Sequence, residues 1–109
     1  MNGQHLIDQF TLVFHQLAVE RLRREPLLLA EALATLDRWH IQRGPSGSDV
    51  YMARWRQLLH AGADAVEQSV CADTTEAATL HNASPLGFLL TAAERMELRR
   101  KTVAMSHAA

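Results

Sequence analysis

The side chains in this chain best suited to metal or acid–base chemistry are His5, His15, His40, His60, His81, His107 and Cys71. Zinc sites usually draw on ligands a few positions apart on one helix, or on closely spaced cysteines. Here no two histidines lie four residues apart, and Cys71 has no second thiol with which to share a metal or close a disulfide. His40 and His60 are expected at helix edges, each with one ring nitrogen hydrogen-bonded. Cys71, beside Val70 and Ala72 and close to Val66, is expected to be a buried, inert thiol. Asp64 and Glu67 stand three residues apart, but without an apolar cleft to separate their proton affinities they read as surface charges. The glycines of Gly44-Pro45-Ser46-Gly47 follow no strand and precede no lysine, so they connect elements rather than cradle a phosphate. No metal, cofactor or catalytic residue is expected, and the chain is not read as an enzyme.

Charge is more informative than any motif. The net formal charge is −1, with no general pull toward nucleic acid or acidic lipid. That balance hides a segregation. From Gln57 to Ala93 there is no Lys or Arg, while Asp64, Glu67, Asp73 and Glu76 are acidic; from Arg95 onward come Arg95, Arg99, Arg100 and Lys101 against Glu97. Solvated faces and a basic helix C-terminus explain this pattern in structural terms. In functional terms it offers an acidic surface to a basic partner. The apolar run Leu86-Gly87-Phe88-Leu89-Leu90 either caps the core or, if exposed, supplies Leu86, Phe88 and Leu89 as partner anchors. Trp39 and Trp55, each flanked by charge, are expected to anchor the core, unless one is a partly exposed contact.

The stretch Glu76–Pro85 resembles the first helix and turn of helix-turn-helix DNA readers of the excisionase and repressor type: an Ala-rich helix, Asn82, then Ser84-Pro85. The following Leu86–Leu90 has no Arg, Lys, Asn or Gln to reach base edges, and the preceding helices are acidic. On this alternative reading Thr74–Leu90 would form the DNA-binding unit of a regulator, acting alone or as a dimer, with Arg95, Arg99, Arg100 and Lys101 on phosphate.

All of these residues must be positioned by helices. The steps Leu6, Phe10, Val13, Leu17 with Ile7 and Phe14 predict a first helix over about Gly3–Arg24, closed by Arg21, Arg23 and Arg24. Pro26 suits the first turn of a second helix, with Leu29, Leu33, Leu36 and His40 on one side and Leu28, Ala32 and Trp39 beside them; Gly44–Gly47 ends it. Ser48 or Asp49 caps a third, with Tyr51, Trp55, Leu58 and Leu59 inward and Gly62 at its end. Two shorter helices are predicted near 63–72 and 74–81, the second capped by Asp73 with Glu76 in the reciprocal position. Thr91-Ala92-Ala93-Glu94 has capping-box spacing and opens the last helix. Alternation of period two is absent.

The prediction is therefore all-α, a compact bundle or orthogonal array of five to six helices. With 109 residues, 48% of them hydrophobic, it should form a single domain over 1–105 with a frayed tail at 106–109. No apolar run approaches a membrane span and the N-terminus lacks a signal-peptide pattern, so a cytoplasmic location is expected.

Across most of its length the chain resembles a group of small helical bacterial proteins of the antitoxin kind. The resemblance rests on Ala18-Val19-Glu20-Arg21-Leu22, Glu25-Pro26-Leu27-Leu28-Leu29, Leu36-Asp37-Arg38-Trp39, Tyr51-Met52-Ala53-Arg54-Trp55, Leu80, Ser84-Pro85-Leu86-Gly87 and Glu94-Arg95. It implies a protein that neutralises a toxin by direct binding. Such a role needs apolar helix surface and complementary charge rather than catalysis. The leading expectation is a toxin partner held by the acidic residues and the 86–90 segment; a homodimer is a further possibility.

Overall fold

A computed structural model describes residues 9–47 and 49–108. The chain is all-α, and its described residues form six helices: α1 (Gln9–Arg24), α2 (Leu27–Arg43), α3 (Asp49–Ala61), α4 (Ala63–Val70), α5 (Thr75–His81) and α6 (Ala92–Ala108), plus one 3-10 turn, Gly87–Leu89. No strand occurs among the described residues.

The breaks fall where the backbone chemistry demands them. Gly44, at φ 69°, ends α2 and returns its N–H to the His40 carbonyl. Gly62, at φ 114°, is the single residue between α3 and α4, in a backbone region that a side chain would strain. The capping box that opens α6 is formed in both directions: Glu94 N–H donates to Thr91 Oγ1, and Thr91 N–H donates to Glu94 Oε1. The cap of α5 differs from expectation. Thr74, with extended backbone, accepts from the Ala77 N–H, one residue after Asp73; this frees Glu76 for a tertiary ion pair.

The core gathers around α4, which packs against α1, α3 and α5, while α2 lies on α3 and α1, and α6 lies on α1. Trp55, Leu22, Leu36, Leu59, Val66, Val70, Leu80 and Leu86 are fully enclosed. The inward face of α1 is rotated from the predicted stripe. Its buried residues are His15, Ala18, Val19 and Leu22, while Phe10, Val13, Phe14 and Leu17 are half-buried. Because α1 is covered on one side by α4 and on another by α6, the more apolar stripe serves the thinner contact. Leu6 and Ile7 lie outside the described residues. On α3, Met52 replaces Tyr51 in the core beside Trp55, Leu58 and Leu59, and Tyr51 stays 41% exposed. On α2, His40 is exposed.

Candidate functional site

The predicted acidic residues lie on α4 (Asp64, Glu67), on α5 (Glu76) and on the link between them (Asp73). Asp64, Glu67, Asp73 and Glu76 are all exposed. Their charge is partly answered by arginines from elsewhere in the chain. Arg23, at the end of α1, reaches Asp64 at 2.7 Å and Glu67 at 2.5 Å. From α3, Arg54 reaches Glu76 at 3.0 Å and also bonds Ser69 Oγ. Asp64, Glu67 and Glu76 are thus each paired with an arginine from another helix. The acids stand out in the sequence because no Lys or Arg interrupts them from Gln57 to Ala93, whereas the arginines lie 22 to 44 residues away.

The apolar run is not the anchor that the sequence offered. Leu86 is 0% and Leu89 7% exposed, with Leu90 buried beside them; Phe88 alone keeps an exposed ring. After Pro85 the chain winds into a 3-10 turn, in which side chains three apart eclipse, so Leu86 and Leu89 point the same way into the core. The same geometry removes the second helix of a helix-turn-helix. Thr74–Leu90 contains α5 and a three-residue turn, and no helix that would enter a major groove.

The basic residues of α6 are largely engaged. Arg99 lies 4.1 Å from the Phe10 ring centroid and Arg95 5.7 Å from that of Phe14, so two basic residues one turn apart meet two phenylalanines one turn apart. Arg95 also donates to the Gly87 carbonyl, where a Cβ at Gly87 would crowd its guanidinium. Arg100 pairs with Glu97. Lys101 lines a shallow α1–α6 groove with Leu17, Glu94, Glu97 and Leu98.

Large apolar side chains are exposed on α2 (Leu27, Ile41), on α6 (Met96, Val103) and on α3. Val50 is 73% and Tyr51 41% exposed, and both border a groove of about 270 Å³ between α3 and α5. Thr75, Thr79 and Leu80 form the opposite wall, and the Arg54–Glu76 pair lies along it. The groove exists because α5 is short and presents small residues to its neighbours; Ala77 is its buried contact alongside Leu80.

One constellation was invisible in the sequence. His15 and His81 stack with centroids 4.2 Å apart and planes 7° from parallel, and His15 also stacks on Trp55. The His15 Nδ1–H donates to the Thr11 carbonyl, which fixes Nε2 as acceptor for the Ser84 hydroxyl at 2.8 Å. Ser84 Oγ accepts in turn from the Leu86 N–H. His81 Nε2–H donates to the Val70 carbonyl, and the Trp55 indole N–H to that of Leu80. Burial, more than any neighbour, lowers His15 to about 4. The Ser84–His15 pair has the spacing of a base-activated hydroxyl. His15 is 2% exposed and Ser84 half-buried, and their hydrogen bond ties α1 to the 82–86 turn. The clue available was the step His15, Ala18, Val19, Leu22 on one helix face.

Cys71 is half-buried, and burial pushes its thiol up to about 11, as an inert cysteine requires. Trp55 is a full core anchor, whereas Trp39 is half-buried with Arg43 over its ring. No cluster of metal-ligating side chains occurs among the described residues. No protein-family model matches the chain, and neither a curated protein nor a solved structure was found similar to it.

Proposed function

We propose that this chain is a protein-binding module whose working surface is the α3–α5 groove, rimmed by the acidic α4–α5 face. The observation that carries this reading is the exposure of Val50 and Tyr51 at the mouth of a groove with a charged pair in its wall. Isolated exposed apolar residues are ordinary on protein surfaces; two beside a concave site make a place to seat a partner's apolar side chain. The exposed carboxylates of the α4–α5 face favour a partner whose contact surface is basic around an apolar centre. The finer form of the proposal is neutralisation: the chain acts as an antitoxin, covering the basic working site of a toxin without doing chemistry itself.

A photo-crosslinking residue at position 50 tests the surface. One adduct with a discrete partner is expected from position 50, and none from position 27, where Leu27 is 79% exposed on α2. Equal adducts from both positions would remove the groove from consideration. The neutralising role is tested by expressing that partner alone and with this chain. Growth arrest relieved by the intact chain, and not by Val50→Asp, is the expected outcome; a partner harmless by itself would contradict it.

A DNA-binding regulator is the second reading. The observation favouring it is the run of exposed Arg95, Arg99, Arg100 and Lys101 along α6. It would act through phosphate contact rather than base reading, so binding to duplex DNA should weaken steeply with salt and ignore sequence.

A further inference from the structure

We infer that the outward face of α2 is a self-association surface, on which a second copy of this chain lies antiparallel about a two-fold axis at Ala34.

α2 is apolar on more than the side it buries. Its buried residues are Ala32, Thr35 and Leu36, and it packs on α3 and α1. On the opposite side Leu27 and Ile41 are 79% and 81% exposed, the highest values for large apolar side chains among the described residues. Between them Glu31, Ala34 and Arg38 are exposed too. Positions 27, 31, 34, 38 and 41 step by four, three, four and three, which keeps them on one seam of the helix.

The order along that seam is apolar, acidic, small, basic, apolar, with Ala34 at its midpoint. Turned by a half-rotation about an axis at Ala34, the seam matches itself at every position. Leu27 then meets Ile41 of the second copy, Glu31 meets Arg38, and Ala34 meets Ala34. A two-fold interface requires this self-complementarity, in which residue i contacts j and j contacts i. Ala34 and the neighbouring exposed Ala30 let two helices approach closely. In the parallel orientation Glu31 would face Glu31 and Arg38 would face Arg38, so charge selects the antiparallel one.

Both charges are available for that contact. Among the described residues neither Glu31 nor Arg38 enters an ion pair, whereas Asp37 between them is taken by Arg56 of α3. Arg38 gives one hydrogen bond, to the Thr35 hydroxyl. Glu31 and Arg38 lie two turns apart, about 10 Å along the axis, too far to pair within one chain. The second copy supplies each with its opposite, twice by symmetry. One helix pair is a small interface, so the dimer is weak and concentration-dependent. The seam shares no residue with the α3–α5 groove, and a crosslink from position 27 therefore joins two copies of this chain rather than capturing the partner of the groove.

Sedimentation equilibrium of the full chain from about 10 μM to about 1 mM, the range in which so small an interface associates, tests the surface. The average mass should rise from that of one chain toward that of two. Glu31→Arg and Arg38→Glu, each checked for helix content by circular dichroism, should each weaken association at least about tenfold, because like charges then meet. Mixed together, the two variants should associate again, since every reversed charge then faces an opposite one. Val50→Asp should dimerise as the intact chain does. The mass of one chain at every concentration would overturn the inference, as would single variants that associate undiminished or a mixture that stays monomeric. Loss of the dimer in Val50→Asp would overturn it too, by placing the contact at the groove.

Discussion

α4 has eight residues and α6 seventeen, yet the shorter helix is the better enclosed. Val66 and Val70 are fully buried between α1, α3 and α5, whereas from Ala92 to Val103 α6 buries Thr102 alone. α4 is held by apolar contact. The ties of α6 are largely polar: Arg21 bonds both Glu94 carboxylate oxygens, at 3.1 and 2.5 Å, and two arginines rest on the phenylalanines of α1. Capping and propensity are enough to form a helix, but burial decides how firmly it is attached. The two regions should therefore fail under different insults.

The largest expected effect is in the enclosed region. Trp55→Ala removes a 0% exposed indole and its bond to the Leu80 carbonyl, and should lower unfolding stability by about 3–5 kcal/mol in a urea titration. A loss below about 1 kcal/mol would mean that Trp55 is not the anchor.

Acid should separate the regions next. His15 refuses, down to about pH 4, a proton that the unfolded chain accepts near 6.5. Stability is thus intact above 6.5 and falls with decreasing pH through that window, by about 3 kcal/mol in all. The α6 anchor responds lower. The Arg21 hydrogen bond, followed by the Thr91 backbone bond, holds Glu94 down to about 2, so its contribution persists above 4.5 and is lost between there and 2. Urea titrations at pH 7, 5.5 and 4.5 should show the enclosed core weakening before Glu94 begins to titrate.

Smaller changes should stay local. Thr91→Ala removes one half of the capping box and should cost about 1 kcal/mol, seen as faster amide exchange in the first turn of α6 with α4 unchanged. Arg99→Ala should cost about 0.5 kcal/mol, the value of an exposed cation over an aromatic ring. Alkylation of Cys71 at neutral pH should run about a hundredfold slower than that of a free thiol, because its thiolate is that much scarcer.

What the sequence made legible was local. Gly44 and Gly62 carry the breaks, Thr91 and Glu94 carry a cap, and the absence of period-two patterning goes with helices as the regular structure of the described residues. What stayed hidden depends on the third dimension. The Leu86–Leu90 run looked equally fit for core or contact, because apolarity does not say which side of a turn faces inward. The acids at 64–76 looked unanswered, because Arg23 and Arg54 arrive from other helices. His15 and Ser84, 69 residues apart, leave no spacing to read.

The central claim, that the α3–α5 groove seats a protein partner, is tested most directly by capture from the native host with the intact chain and with Val50→Asp. At this exposed position beside Asp49, at the start of α3, an added carboxylate should leave the fold unchanged. One stoichiometric protein retained in high salt by the intact chain, and lost from the folded variant, is the predicted result. Equal retention by both would contradict it, as would recovery of nucleic acid alone that is released by salt.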